Sequence, residues 1–152
     1  MATDETSGDT TPEAVPELTE SEYEALHEVE LALEWFQRAQ GQLLAFHHAT
    51  GHGMDHLRDA ESRLRAAGHG DLADAIRDDL LPHGVVDGDR WSYDVVEDFQ
   101  RNFLTESRAL ERQVREELAD GERHVQERRQ ERVWKDRAEK RDRTTDTIES
   151  SQ

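Results

Sequence analysis

Apolar residues recur at three- and four-residue steps from Leu26 through Val29, Leu33, Phe36, Gln40, Leu43, Leu44 and His47. That spacing follows one face of an α-helix and predicts a long first helix. Its start is marked by Thr19 and Glu22, a T-x-x-E capping box, with Leu18 and Tyr23 where a hydrophobic staple would close. Leu31, Trp35 and Phe46 fall on a second side of the same helix, as expected of a central bundle helix or of one that carries an interface. Thr50-Gly51-His52-Gly53 predicts a break or kink, since glycine weakens a helix and threonine caps a new one.

A second helix is expected over 54–67, with Met54, Leu57, Ala60 and Leu64 inward and Gly68 as its C-cap. Asp71 then caps a short helix carrying Leu72, Ile76 and Leu80, which Leu81-Pro82-His83-Gly84 stops. A loop over 85–89 leads to a long helix from Ser92. Its stripe runs Val96, Phe99, Phe103, Ser107, Leu110, Val114, Leu118, Gly121 and Val125. Beyond Val125 the same face continues as Arg128 and Arg132, so packing fades while helix propensity persists. Gln40 and Ser107 are polar positions within apolar stripes and are expected to fix register.

These elements predict an all-α fold: a helical bundle or long helical hairpin with two shorter helices and a protruding polar C-terminal helix. Residues 1–17 read as a disordered acidic tail, 18–122 as the bundle, 123–143 as a charged helical extension and 144–152 as a second disordered tail.

Charge adds a constraint that the pattern does not. The first 100 residues hold 23 Asp/Glu against 6 Arg and no Lys, whereas residues 101–152 balance at 13 against 13, for a net charge of −17 overall. Only Lys135 and Lys140 stand beside 17 arginines. A self-repelling surface of this kind loosens a compact chain in dilute salt and is screened in molar salt. The composition resembles that of proteins from salt-in halophiles, a resemblance that covers the whole chain and identifies no family. The chain has no cysteine, which excludes disulfides, thiolate metal sites and cysteine catalysis. No apolar run approaches the ~18 residues of a membrane span, and the N-terminus lacks a signal-peptide pattern, so a cytoplasmic, non-membrane protein is expected.

Candidate chemistry is confined to histidine. His47, His48, His52 and His56 lie within ten residues, and His48, His52 and His56 repeat at four-residue steps, which on an unbroken helix puts them on one side. Imidazoles one turn apart can share a zinc, nickel, copper or iron ion, with His47 and Asp55 as possible helpers. Glu24 and His27 form a single E-x-x-H. A ferritin-like di-iron site needs two, facing inward, and His27 reads as pointing away from the Leu26 stripe. No phosphate-cradling glycine loop, G-x-S-x-G or paired-carboxylate signature occurs, so nothing supports an enzyme without a metal.

Three functions follow in order. The first is a non-enzymatic protein–protein interaction or structural module of a halophile cytosol, self-associating or docking a protein partner through Leu31, Trp35, Phe46, Val125 and Trp134, with no cofactor. The second is a helical protein that binds a divalent transition metal through His48, His52 and His56. The third is a transcription-associated DNA-binding protein. Residues 60–80 read loosely as helix-turn-helix but carry more acid than base, and the arginines of 123–143 alternate with acids. Phosphate contacts also weaken steeply with salt, which disfavours nucleic acid.

Overall fold

The first helix begins where its cap places it. The Thr19 backbone N–H and hydroxyl donate to a Glu22 carboxylate oxygen at 2.7 and 2.9 Å, and the Glu22 N–H returns a bond of 3.3 Å to the Thr19 hydroxyl. The Thr19 amide, and then its hydroxyl, hold the Glu22 carboxyl below the usual carboxylate range. Leu18 packs on the cluster that holds Tyr23, closing the expected staple.

The computed structural model describes residues 17–149, with side chains to 141. Among these residues the fold is all-α, with one isolated β-bridge between Val86 and Arg90. The helices are α1 (Glu20–Ala66), α2 (Gly70–Asp74, running on as a π-helical turn over Ala75–Leu80), α3 (Ser92–Arg101), α4 (Phe103–Ala119) and α5 (Val125–Glu149). Most of the expected N-terminal tail lies outside the described residues. The C-terminal boundary is corrected, because α5 runs past 144 to Glu149.

The expected break at Gly51–Gly53 does not occur. α1 is continuous over 47 residues, absorbing the separate helix expected at 54–67. Thr50 does not cap a successor; its hydroxyl donates back to the Phe46 carbonyl at 2.8 Å. Two interior glycines cost a helix about 1 kcal/mol each. Against this, Thr50, Met54, Leu57, Glu61 and Leu64 extend the three-four spacing of Leu33, Phe36, Gln40, Leu43 and His47, and all are half-buried. At its end, Gly68 takes φ +87° and the His69 N–H bonds the Leu64 carbonyl at 2.8 Å, a Schellman closure.

The long helix expected from Ser92 is interrupted twice. At Asn102 the chain leaves helical geometry (φ −104°, ψ −88°) and restarts at Phe103. The restart changes some inward positions, while Ser107, Val114 and Leu118 stay half-buried as expected. Leu104 is buried at 1% exposure, whereas the expected Phe103 and Leu110 are exposed. The second interruption is the turn 120–124, where Asp120, Gly121 and His124 all have positive φ. Gly121, expected in the stripe, is part of that turn. In the short helix Ile76 is half-buried as expected, but Ala73 is fully buried while Leu72 and Leu80 are exposed.

Two compact units result, with α1 contributing to both. One comprises the described residues up to Glu28 together with those from Arg112 onward. Its core is Tyr23, Leu26, Ala119 and Val125, with Leu18, Val114 and Leu118 packed around them. Arg129 of α5 pairs with Glu20 at 2.7 Å and stacks its guanidinium over the Tyr23 ring at 4.5 Å.

The other unit is Val29–Glu111. Phe103 meets Phe36 edge-on at 4.8 Å between ring centres and lies 5.6 Å from Phe99. Arg65 joins Glu61 and Asp74 at 2.8 and 2.9 Å, fastening α2 to the end of α1. The loop before α3 is held by the Gly84 N–H donating to an Asp89 carboxylate oxygen at 2.7 Å. A methyl group on Gly84 would stand 2.3 Å from the Asp89 carbonyl carbon and 2.6 Å from the Arg90 nitrogen. Gly84→Ala is therefore expected to cost about 1–3 kcal/mol, the range for an overpacked site that must shift backbone. A denaturation midpoint equal to that of the parent chain would contradict this.

Candidate functional site

The continuity of α1 restores the alignment on which the histidine site depends. His48, His52 and His56 stand on successive turns of one unbroken helix, and all three are exposed. The alignment is present, but the convergence is not. The donor atoms of these three residues do not come together as a cluster in the described structure, and neither does Asp55 join them. Asp55 instead pairs with Arg58 at 3.3 Å.

His47 serves a different purpose. Its Nδ1 lies 2.7 Å from the Ser92 hydroxyl, and its ring meets that of Tyr93 nearly edge-on at 6.5 Å between centres. Ser92, the first residue of α3, is buried. The Trp91 N–H donates to Asp94 at 2.9 Å and fixes the same helix start. His47 thus ties the beginning of α3 to the middle of α1, and its Nδ1 is committed to that bond.

The residues expected to form an interaction surface divide. Trp35 is 63% exposed, with the Arg38 guanidinium 4.6 Å above its ring, and Phe46 is exposed on the same side. Leu31 is half-buried one turn before Trp35. Trp134 is 59% exposed on α5, beside the exposed Val133. Val125 is corrected: it is fully buried in the core with Leu26 and Ala119 and offers no surface. Its burial follows from the 120–124 turn, which redirects the chain so that α5 packs on the start of α1.

The register pair also behaves differently from expectation. The Ser107 hydroxyl donates to its own helix, to the Phe103 carbonyl at 2.8 Å, and the Gln40 side-chain oxygen is buried without a hydrogen-bond partner. An open concavity of ≈ 710 Å³ beside the 82–89 loop is walled by Asp78, His83, Asp87 and Asp89. Arg77 holds Asp78 by two bonds of 2.7 Å, which lower the Asp78 carboxyl below its ordinary pKa. Among the described residues, its Asp and His side chains do not form a group of three ligand atoms close enough to hold an ion.

His27 is the feature that the sequence placed wrongly. It is half-buried, and its Nδ1 lies 3.9 Å from a Glu127 carboxylate oxygen across the α1–α5 contact. The only signal for this in the sequence is Asp120-Gly121, a turn dipeptide set inside an otherwise helical run.

Among the described residues, no helix is long and apolar enough to cross a membrane. Compared with protein-family models, with curated proteins and with solved structures, the chain matches none.

Proposed function

We propose that this chain is a helical self-association module whose natural partner is a second copy of itself. One observation carries the reading. The apolar positions of α1 keep three-four spacing to Leu64, yet Tyr23 and Leu26 are its only buried residues. Within the chain α4 meets this seam at Phe36 and α3 at His47, yet it stays only half-buried. A seam of this period over some 30 residues, ~45 Å of helix, is a surface that helices pair along. Beside it, Trp35 and Phe46 are exposed.

Charge favours a second copy as the occupant. Residues 20–39 carry six glutamates against Arg38, whereas residues 128–141 carry seven Arg/Lys against three acids. The basic α5 of one molecule is therefore the electrostatic complement of the acidic α1 of another. In molar salt such attraction is screened within a few ångströms, so charge would select the register while apolar contact holds the pair.

Trp35→Ala and Trp134→Ala test this. Buried tryptophans at interfaces contribute about 2 kcal/mol or more, so each change is expected to weaken association roughly 30-fold. Sedimentation equilibrium in ~2 M KCl, where the Debye length is under about 3 Å, reads the result. A parent chain that stays monomeric at every concentration would overturn the proposal, whatever the variants do.

A further inference from the structure

We propose that two copies of the chain meet along the middle of α1, residues 39–54, running antiparallel about a two-fold axis level with Phe46 and His47. The inference rests on the self-association proposed above and adds which stretch is shared and in which direction. Residues 39–54 hold no Asp, Glu, Lys or Arg. In a chain that is 36% charged, sixteen positions would carry about six such side chains on average. The next longest run without them, residues 80–86, has seven positions.

Burial within the chain does not account for this composition. The stretch is met at His47, whose Nδ1 lies 2.7 Å from the Ser92 hydroxyl. Leu44 and Phe46 are nevertheless 43% and 39% exposed, and Ala45, His48, Ala49 and His52 are exposed as well. On either side of the stretch, exposed positions of α1 carry carboxylates, as at Glu28, Glu34, Asp55 and Asp59. A carboxylate enclosed between two molecules without a cation loses its hydration, which is costly. Interface centres are depleted of charge accordingly. Over ~24 Å of helix, α1 omits from its surface the groups that such a contact would strand.

Charge also identifies the occupant and its direction. No other run in the chain is long enough to match sixteen uncharged positions, so the stretch is matched by its own copy, as in an isologous contact. Residues 20–38 of α1 carry six Glu against Arg38. Residues 55–66 balance, with Asp55, Asp59 and Glu61 against Arg58, Arg63 and Arg65. Parallel pairing would set the six-glutamate end against its own copy, and like charges facing one another across an interface are unfavourable. Antiparallel pairing sets that end against the balanced one and keeps the uncharged stretches together.

The chain has no cysteine, so a spin label on one introduced cysteine reports a single position. Gln37→Cys and Ser62→Cys place labels at exposed positions outside the stretch and leave it intact. Electron–electron double resonance on each full-length variant in ~2 M KCl, screened as above, reads the distance between copies. At 1.5 Å per residue, antiparallel pairing about this axis separates the two labels by ~30 Å at position 37 and by ~45 Å at position 62. Parallel helices would bring both pairs within ~20 Å, given axes 8–10 Å apart, and would overturn the proposal. A dimer with the longer distance at position 37 would overturn it too, by moving the axis toward the other end of α1, while leaving self-association in place. Ala45→Glu sets a carboxylate in the stretch at an exposed position. It is expected to weaken association at least ~30-fold by sedimentation equilibrium, with helical circular dichroism unchanged. Association of Ala45→Glu equal to that of the parent would place the contact elsewhere. A parent that never associates removes the self-association reading itself, and this inference with it.

Discussion

Leu26→Ala is expected to destabilise the protein by about 2–5 kcal/mol, the range for truncating a fully buried leucine that leaves a cavity. Leu26 is 1% exposed, in a core of only four buried residues. With so few apolar groups, the neighbours can do little to fill the space, which favours the upper part of the range. Small domains hold together by roughly 5–15 kcal/mol, so the loss is a large share of the total. Its signature should be local. Tyr23, Ala119 and Val125 all depend on Leu26, so amide exchange should quicken in residues 112–141 before it quickens in 70–101. Equal loss of protection in both regions would show that the two units unfold as one.

What the sequence disclosed, and what it hid, follows from the kind of signal each element carries. The start of α1 was legible because a capping box and a staple are local: Thr19, Glu22, Leu18 and Tyr23 sit within six residues and need no other part of the chain. The Gly51–Gly53 continuity was not legible. Glycine there lowers local helix propensity, but the half-buried Thr50, Met54 and Leu57 keep the helix in line with the stripe, and that is a tertiary effect.

Asn102 interrupts the stripe locally, so a periodicity read across it names some wrong side chains while keeping Ser107, Val114 and Leu118. Phe103 and Leu110 were expected inward, but Leu104 and Glu111 take those places. The turn at 120–124 uses positive φ at Asp120 and His124 as well as at Gly121, and only the glycine advertises that geometry. Everything at the α1–α5 contact depends on this turn. For that reason Val125 moved from surface to core, and His27 from an outward position to one facing Glu127. The exposure of Trp134 was readable because the apolar stripe fades beyond Val125, leaving nothing local to bury it.

Transfer from ~2 M KCl to ~0.05 M salt is expected to unfold the chain, and to do so unevenly. The Debye length grows from under about 3 Å at molar salt to more than 10 Å, so charges on successive turns and neighbouring helices begin to repel. Residues 29–111 carry 16 Asp/Glu against 8 Arg. The ion pairs there, such as Arg58–Asp55 at 3.3 Å and Arg101–Glu97 at 3.4 Å, are exposed and local. Pairs of that kind contribute about 0.3–0.5 kcal/mol each and do not answer a net −8 spread over the unit. In the other unit the acids of α1 face the cations of α5, as Glu20 faces Arg129, and opposite charges there attract more strongly as screening falls. Loss of amide protection on dilution should therefore begin in residues 70–101 and reach 112–141 later. Returning KCl should restore both, while an equal osmolality of sucrose should do less, because it strengthens burial without screening charge. Helical circular dichroism unchanged at ~0.05 M salt would mean that the acidic surface is tolerated rather than tuned to high salt. The reverse order of loss would place the decisive repulsion in the α1–α5 unit.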